Sequence, residues 1–140
     1  MSGLPGSGKD HHVRERYGEW ERVSLDDLRD ELGVDPSGKQ GEVVNAARER
    51  AKELLRRGER FVWNATNLGR QMRRMTLDLL LSYKARVRIV YLEVPPAVQL
   101  EQNKGRKGHV PAAAIEKMQG TWEVPTLMEA HEVECVVRTG

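Results

Sequence analysis

The sequence is poor in several features that mark other classes of protein. Its single cysteine, Cys135, cannot form a disulfide within the chain, which fits the reducing environment of the cytosol. No apolar run is long enough to cross a bilayer and no charged-then-apolar leader opens the chain, so we expect a soluble, cytoplasmic protein without a membrane partner. The charge is not one-sided either, because 23 basic residues face 21 acidic ones. A nucleic-acid partner would therefore meet a local basic patch.

What the chain does contain is an alternation of strand-like and helix-like segments. Apolar residues recur at intervals of three and four in stretches that predict helices over residues 43–54, 72–83, 97–104 and 111–121. Short apolar runs predict strands over residues 60–65, 86–93 and 132–137. The apolar face of the second helix would consist of Met72, Met75, Leu79 and Tyr83. We therefore predict an α/β fold in which helices cover both faces of a parallel sheet, within one domain spanning residues 1–140.

A glycine-rich segment at the start of the chain fits the pattern G-x-x-x-x-G-K of a phosphate-binding loop. Glycines let the backbone turn so that successive N–H groups point at a β-phosphate, and a helix beginning near Lys9 adds its positive end. Lys9 supplies a charge that spans the β- and γ-phosphates, as a catalytic residue would. The alternative is a glycine-rich turn that only caps a helix. We predict that ATP is bound by Gly3, Pro5, Gly6, Ser7, Gly8, Lys9 and Asp10.

Asp10 stands where such a loop usually carries a serine or threonine that ligates Mg²⁺. A carboxylate can also hold a hydrated Mg²⁺, often through water, so Asp10 is the predicted metal residue. Its negative charge beside the phosphates would make nucleotide affinity depend more heavily on the metal.

The loop normally follows a buried strand, yet only Met1 and Ser2 precede Gly3. The first strand of the predicted sheet is therefore missing from this sequence. A truncated or late-assigned start would explain the gap. The final strand, or a partner chain in an oligomer, would be another way of filling it.

A second group of polar residues, in the segment Val23–Arg29, follows the loop helix at the distance expected for the next strand and its exit. Ser24 or Asp26 can cap the helix that starts there. A carboxylate at a strand end that faces the phosphate loop is also where a base would take a proton from an attacking hydroxyl, which makes Asp26 the candidate base. Arg29 lies one helical turn later, so both side chains can face one ligand. The alternative is that Asp26 and Asp27 only complement the helix dipole.

Further candidates for acceptor binding follow the predicted strand at residues 60–65. Asn64, Thr66 and Asn67 would sit at the carboxyl edge of the sheet, where ligands bind in this architecture, or would only cap the next helix. That helix begins with three arginines, for which a solvated face is the main expectation. Arg70 is kept as a candidate contact to the acceptor. The other two are Arg73 and Arg74.

A basic, glycine-containing loop lies at about residues 103–110 and is predicted to act as a lid. An arginine that closes over the nucleotide would neutralise charge spreading onto the γ-phosphate, and Arg106 is the candidate for this catalytic and donor-binding role. A basic loop that is simply exposed to solvent is the alternative. The histidines show no spacing typical of a zinc site.

In this order, the motifs GLPGSGKD, SLDDLR, NATN and NKGRKGHVP resemble the polynucleotide 5′-hydroxyl kinase branch of the P-loop kinases. The chain is particularly similar to the kinase domains of phage and bacterial nucleic-acid repair enzymes, over residues from Gly3 to about Trp122. The resemblance implies a mononucleotide-kinase-like α/β/α fold that binds ATP and Mg²⁺. It also implies roles for individual residues: phosphates and metal for Lys9 and Asp10, the general base for Asp26, the acceptor phosphate for Arg29 and the donor phosphates for Arg106.

These observations lead to one expected function and two alternatives. We expect transfer of the γ-phosphate of ATP to the 5′-hydroxyl of an RNA or DNA end in nucleic-acid repair. Repair enzymes of this type also carry phosphatase or ligase domains, so a covalent or non-covalent partner repair domain is left open. One alternative keeps the kinase but changes the acceptor to a small-molecule hydroxyl. The other is a truncated module that binds nucleotide without catalysis.

Overall fold

Strands and helices alternate along the chain, as the sequence predicts. The protein is described by a computed structural model that covers residues 1–35, 38–67, 69–104 and 112–137. The strands of the described residues are β1 (Glu21–Ser24), β2 (Phe61–Asn64), β3 (Arg88–Glu93) and β4 (Glu132–Val137). The helices are α1 (Lys9–Tyr17), α2 (Leu25–Leu32), α3 (Gly41–Arg56), α4 (Arg70–Ser82), α5 (Pro96–Lys104) and α6 (Ala112–Thr121).

The strands pair in parallel as two halves of a sheet. In one half, β1 lies beside β2 with Ser24 opposite Asn64. In the other half, β3 lies beside β4 with Arg88 opposite Glu132. Helices connect the strands within each half, which is the connection that parallel pairing requires. The final strand therefore pairs with β3 and does not lie in the position that leads into the glycine-rich loop.

Among the residues that the structure describes, Met1, Ser2 and Gly3 reach that position, and we call them the N-terminal segment. Ser2 forms a parallel bridge with Tyr91 of β3. On the side of β2, the Met1 amine donates to the Trp63 carbonyl at 2.9 Å and the Gly3 N–H donates to the Thr66 carbonyl at 2.9 Å. The N-terminal segment thus connects the two halves of the sheet just before the glycine-rich loop.

The largest core cluster forms around α3. The apolar residues of α3 that recur at intervals of three and four are all buried, as predicted, and they pack against β1, β2 and α2. The helix ends near Gly58, whose φ of 67° requires the left-handed conformation that glycine adopts easily. The cluster consists of Val23, Leu28, Val43, Ala47, Ala51, Leu54, Trp63 and Leu79.

Helix α4 is amphipathic, but its buried face differs from the predicted one. Met72 and Met75 are 59% and 61% exposed, whereas Leu77, Leu79 and Leu80 are buried. Arg73, expected on a solvated face, is also buried. Its guanidinium donates to Glu129 at 2.8 Å and to the backbone carbonyls of Asn67 and Glu123. Arg73 and Leu79 therefore lie on the buried face of α4, and the two methionines lie on its exposed face.

The Arg73–Glu129 pair ties α4 to the segment before β4. Both side chains are at least nine-tenths buried. Burial alone would raise the pKa of Glu129, but hydrogen bonds from Arg73 and from the Thr126 N–H lower that pKa below its usual value. The carboxylate is therefore ionised and fully paired at neutral pH. Within the described ranges, no helix has the length and apolar character needed to cross a membrane.

Candidate active site

The glycine-rich loop leads from the N-terminal segment into α1 and is held in a tight turn. The Ser7 N–H donates to the Leu4 carbonyl at 3.1 Å. Gly6 and Gly8 have φ values of 79° and 91°, which a residue with a Cβ rarely adopts. Gly8 precedes the first residue of α1, and no side chain caps this helix end. The first N–H groups of α1, which have no partner inside the helix, therefore have no side-chain cap among the described residues.

Lys9 is the first residue of α1, and its side chain folds back over the loop. Its Nζ donates to the carbonyl oxygens of Gly3 and Leu4, each at 3.0 Å. The ammonium group is thus positioned beside the backbone turn that would surround a phosphate. Ser7 adds a buried hydroxyl that has no hydrogen-bond partner among the described residues.

Together these groups fit the β- and γ-phosphates of a nucleotide. The uncapped end of α1 contributes partial positive charge and N–H donors, and Lys9 contributes a full positive charge. The orphaned Ser7 hydroxyl is a further donor, and an unpaired buried polar group calls for a ligand or water. The sequence-predicted residues Gly3, Pro5, Gly6, Ser7, Gly8 and Lys9 all lie in this loop.

Asp10, in the first turn of α1, is oriented by a side chain from β2. The Asn64 side-chain amide donates to Asp10 Oδ1 at 2.6 Å, and Asn64 is buried. This contact occupies one carboxylate oxygen and fixes the plane of the group. A carboxylate at a helix start beside the phosphate loop suits a hydrated Mg²⁺, so the residues present fit the predicted metal. The described residues contain no cluster of three or more His, Cys, Asp or Glu that could hold a metal without help from a ligand.

Asp26 and Arg29 lie on the first turns of α2 and are bonded to each other. The Arg29 guanidinium donates to Asp26 Oδ1 at 2.6 Å and to the Gln40 side-chain oxygen at 2.6 Å. The Asp26 side chain is 55% exposed and that of Arg29 is 21% exposed. The Asp27 N–H donates to the Ser24 hydroxyl, so Ser24 is the residue that caps α2. Asp26 is therefore not needed as the cap.

The strand register brings these two groups to the same edge of the sheet. Ser24 and Asn64 are partners at the carboxyl ends of β1 and β2. Asn64 contacts Asp10, and α2 begins directly after Ser24. Ligands of parallel α/β sheets bind at this carboxyl edge, where strand ends meet helix starts. The phosphate loop and the Asp26–Arg29 pair thus lie at the same edge of the sheet.

Three other predicted acceptor residues have structural contacts here. The Thr66 carbonyl accepts from the Gly3 N–H. The Asn67 side-chain amide donates to the Met1 carbonyl at 2.7 Å, and Asn67 has a positive φ of 46°. Arg70 is on the surface near Glu123. Acceptor binding by Asn64, Thr66, Asn67 and Arg70 stays a prediction.

Helix α5 contacts the phosphate loop through residues that the sequence did not single out. The buried Gln99 side chain donates to the Pro5 carbonyl. A Cβ added to Gly6 would lie 2.7 Å from the Gln99 carbonyl oxygen and 2.8 Å from the Asn103 backbone nitrogen. No local pattern reveals this contact, because its partners are 94 residues apart. Helix α5 runs to Lys104, so Asn103 and Lys104, the first two residues of the predicted lid, are helical and not part of a loop. Arg106 lies outside the described residues.

Comparison with known proteins agrees with the predicted fold class. Residues 1–125 match the family model AAA_33, described as an AAA domain. No curated protein matches the sequence. Kti12 from Chaetomium thermophilum, in complex with ADP-AlF3, superposes with a TM-score of 0.73 at 14% identity, over 97% of this chain and 86% of Kti12.

Two kinases of known structure share the fold as well. An unliganded sugar kinase from Janibacter sp. HTCC2649 has a TM-score of 0.64 at 19% identity, over 99% of this chain and 82% of the kinase. The APS kinase CysC of Mycobacterium tuberculosis, in complex with AMPPNP and APS, has a TM-score of 0.64 at 15% identity, over 96% of this chain and 84% of CysC. At these identities the likeness establishes the fold alone. The chain therefore belongs to the AAA domain family and has a P-loop kinase-like α/β fold.

Proposed function

We propose that this protein transfers the γ-phosphate of ATP to the 5′-hydroxyl of an RNA or DNA end, as a step in nucleic-acid repair. The observation that carries the proposal is the Asp26–Arg29 pair, which lies at the same sheet edge as the phosphate loop. A phosphoryl-transfer site needs a base for the attacking hydroxyl and a cation for the acceptor. These two residues supply both, one helical turn apart.

In the proposed reaction, Asp26 accepts the proton of the attacking hydroxyl as that oxygen bonds to the γ-phosphorus. ADP leaves, and the products are ADP and a 5′-phosphate end. Arg29 is bonded to Asp26 in the structure and would contact a phosphate of the acceptor next to the reacting end. Lys9 would exchange its contacts with loop carbonyls for contacts with the β- and γ-phosphates. Bound Mg²⁺, held by Asp10, would neutralise charge on the phosphates.

A small-molecule acceptor is a second candidate. The solved relatives with this fold include proteins described as a sugar kinase and an APS kinase, so the fold itself also serves small hydroxyl acceptors. The Asp26–Arg29 pair suits any acceptor that carries both a hydroxyl and a nearby anion. Competition separates the two candidates, because an oligonucleotide with a 5′-hydroxyl should not inhibit a small-molecule kinase.

The proposal is tested by transfer of label from γ-labelled ATP to RNA and DNA oligonucleotides that end in a 5′-hydroxyl, in the presence of Mg²⁺. The matched acceptor control is the same oligonucleotide with a 5′-phosphate, and the matched protein control is Lys9→Ala. We expect label on the hydroxyl ends alone, and none with Lys9→Ala.

Two negative outcomes would have different meanings. Binding of ATP without labelling of any oligonucleotide would contradict the nucleic-acid acceptor and favour the small-molecule candidate. Failure both to bind ATP and to transfer label would contradict the kinase and favour a non-catalytic module.

A further inference from the structure

The side chain of Asn64, at the end of β2, is buried and only half satisfied. Asn64 is 4% exposed, and its side-chain oxygen Oδ1 has no hydrogen-bond partner among the described residues. The nitrogen of the same amide donates to Asp10 Oδ1 at 2.6 Å. Both amide atoms are bonded to one carbon, so the unpaired oxygen lies beside the Asp10 carboxylate. A buried polar atom without a partner calls for a water molecule or a ligand.

The contact with Asp10 determines which end of the amide is free. A carboxylate oxygen only accepts hydrogen bonds, so the amide nitrogen must face Asp10 and the oxygen must be the free end. The reverse orientation would place two acceptors 2.6 Å apart. The free end therefore suits a hydrogen-bond donor or a cation, and it does not suit a phosphate oxygen, which is itself an acceptor.

This free acceptor lies at the glycine-rich loop. Asp10 directly follows Lys9 in the first turn of α1. The residues after Asn64 run alongside the start of the loop, where the Gly3 N–H donates to the Thr66 carbonyl at 2.9 Å. Bound Mg²⁺ usually keeps several of its waters, and such waters donate to oxygen acceptors. The Asp10–Asn64 pair is therefore placed to serve the metal of a nucleotide in the loop.

The two residue types are exchanged relative to the usual metal site of a phosphate-binding loop. There, a serine or threonine after the lysine ligates Mg²⁺ with its hydroxyl, and an aspartate from another segment supplies the charge. Here the carboxylate follows the lysine, at Asp10, and the neutral group comes from the other segment, at Asn64. The pair still contains one carboxylate and one neutral oxygen group, so its total charge toward the metal is the same.

We propose that Asp10 and Asn64 form an exchanged metal pair for the Mg²⁺ of the nucleotide. The Asp10 carboxylate supplies the charge, and Asn64 Oδ1 accepts a hydrogen bond from a water of the hydrated cation. Asn64 is thus a positioning residue for the metal, acting through Asp10 and through water. The inference rests on the nucleotide-binding part of the proposed function and is independent of the phosphoryl acceptor.

The test exchanges the two residue types back. Asp10→Thr, Asn64→Asp and the double variant are compared with the parent protein. ADP affinity is measured by calorimetry in Mg²⁺ and in EDTA, and the ratio of the two affinities is the metal enhancement. We expect Asp10→Thr to lower this enhancement by about tenfold or more, because the pair then has no carboxylate. The double variant should return to within about threefold of the parent, because it again has one carboxylate and one neutral group.

Thermal unfolding without nucleotide gives a second readout. Asn64→Asp alone places two carboxylates in contact at a buried position, so its Tm should fall below the parent value. In the double variant the threonine hydroxyl can donate to the new carboxylate, so most of the loss should be recovered. The matched control is Glu93→Gln, which removes an exposed carboxylate at the end of β3. This control should leave the metal enhancement unchanged.

Four outcomes would overturn the exchanged pair. A metal enhancement in the double variant as low as in Asp10→Thr would mean that Asn64 Oδ1 only binds a structural water. An enhancement in Asp10→Thr equal to that of the parent would mean that the carboxylate does not serve the metal. ADP binding in the parent that does not respond to Mg²⁺ would overturn the pair but leave the nucleotide site. Absence of ADP binding in the parent under both conditions would overturn the proposed kinase together with the pair.

Discussion

Asp26 presents a half-exposed carboxylate that is held by the Arg29 guanidinium at 2.6 Å. If this group is the base, Asp26→Asn should lower kcat by about 10²-fold or more, the usual contribution of general base catalysis. Nucleotide binding should change little, because the proposed contacts to the phosphates come from the loop. Exposed ion pairs contribute only about 0–1 kcal/mol, so Tm should stay close to the parent value. Initial rates, ATP titration and thermal unfolding measure the three quantities.

The matched control for this experiment is Asp27→Asn. Asp27 is the neighbouring residue on the same helix and also forms an exposed ion pair, with Arg22 at 2.8 Å. Its replacement should leave kcat within a few-fold of the parent enzyme. Turnover of Asp26→Asn at the parent rate would contradict the proposal that Asp26 is the base.

The side-chain amide of Asn64 orients Asp10, which is a different role from the predicted contact with the phosphoryl acceptor. Removing this donor in Asn64→Ala should weaken Mg²⁺-dependent ADP binding by roughly 10-fold, as is typical when a hydrogen bond to a metal ligand is lost. Calorimetric titration of ADP at several Mg²⁺ concentrations measures the effect without turnover. In the double variant with Asp10→Ala, the Asn64 change should add almost nothing. If the losses of ADP affinity in Asn64→Ala and Asp10→Ala were fully additive, Asn64 would act independently of Asp10.

The contact between the phosphate loop and α5 is a feature of two whole elements. In Gly6→Ala, the new methyl group would lie 2.7 Å from the Gln99 carbonyl and would also need a positive φ. We expect a loss of about 1–2 kcal/mol from the backbone conformation and a further 1–3 kcal/mol from the clash. Gly58→Ala is the control, because φ there is 67° and nothing lies within 4 Å of the added Cβ. The unfolding free energies are measured by denaturant titration. If Gly6→Ala and Gly58→Ala lost equal amounts, α5 would have shifted to make room for the methyl group.

The ion pair between Arg73 of α4 and Glu129, in the segment before β4, should make stability fall at acid pH. The pKa of Glu129 is lowered from its ordinary value of 4.5, so the pair stabilises the fold fully above that value. The contribution is lost as pH falls through the folded-state pKa, because the folded state must then take up a proton. The difference in unfolding free energy between the parent protein and Glu129→Gln should therefore shrink below about pH 4.5. A difference that is constant from pH 3 to pH 7 would contradict this origin.

Arg73→Ala removes the other partner of the same bond and should be the more harmful change. It leaves the Glu129 carboxylate buried without its cation, which costs about 3–5 kcal/mol in comparable pairs. It also removes the donors to the carbonyls of Asn67 and Glu123. Thermal unfolding at pH 7 should give a larger loss of Tm for Arg73→Ala than for Glu129→Gln. The reverse order would indicate that burial of the arginine is itself unfavourable.

The molecule as a whole consists of two half-sheets connected by the N-terminal segment. The β1–β2 half packs against a core cluster around α3. The β3–β4 half is a separate pair of strands from the later part of the chain. We expect native-state hydrogen exchange in increasing urea to reveal two opening units. Amides of β1 and β2 should converge on one free energy, and those of β3 and β4 on another. If the amides of all four strands showed the same opening free energy at every urea concentration, the N-terminal segment would be enough to make the two halves unfold together.

Local patterns were sufficient to predict much of this architecture. The spacing of Val43, Ala47, Ala51 and Leu54 predicted α3 and its buried face, and the strand at residues 132–137 was predicted with its observed bounds. The glycine-rich loop was found because its residues are contiguous. Each of these features depends on neighbours in the sequence, which is why periodicity and motif length reveal them.

Features that depend on distant partners were not predictable. The buried face of α4 was predicted correctly at Leu79 but wrongly at Met72 and Met75, which are exposed. Arg73 is buried instead, because it finds its carboxylate 56 residues later, at Glu129. An arginine in a helix otherwise indicates a solvated surface. The contact of Gln99 with Pro5 was missed for the same reason. The sequence also left open what fills the place of the first strand, and the pairing of β4 with β3 removes the final strand as an answer.

The two carbonyl groups that accept from Lys9 belong to Gly3 and Leu4, at the end of the segment that connects the half-sheets. A nucleotide phosphate that takes over the ammonium group releases these carbonyls. Nucleotide binding to the loop would therefore be coupled to the order of the N-terminal segment. Thermodynamic linkage makes such coupling reciprocal. Any substitution that stiffens this segment should therefore alter nucleotide affinity, and by the same factor nucleotide should alter the order of the segment.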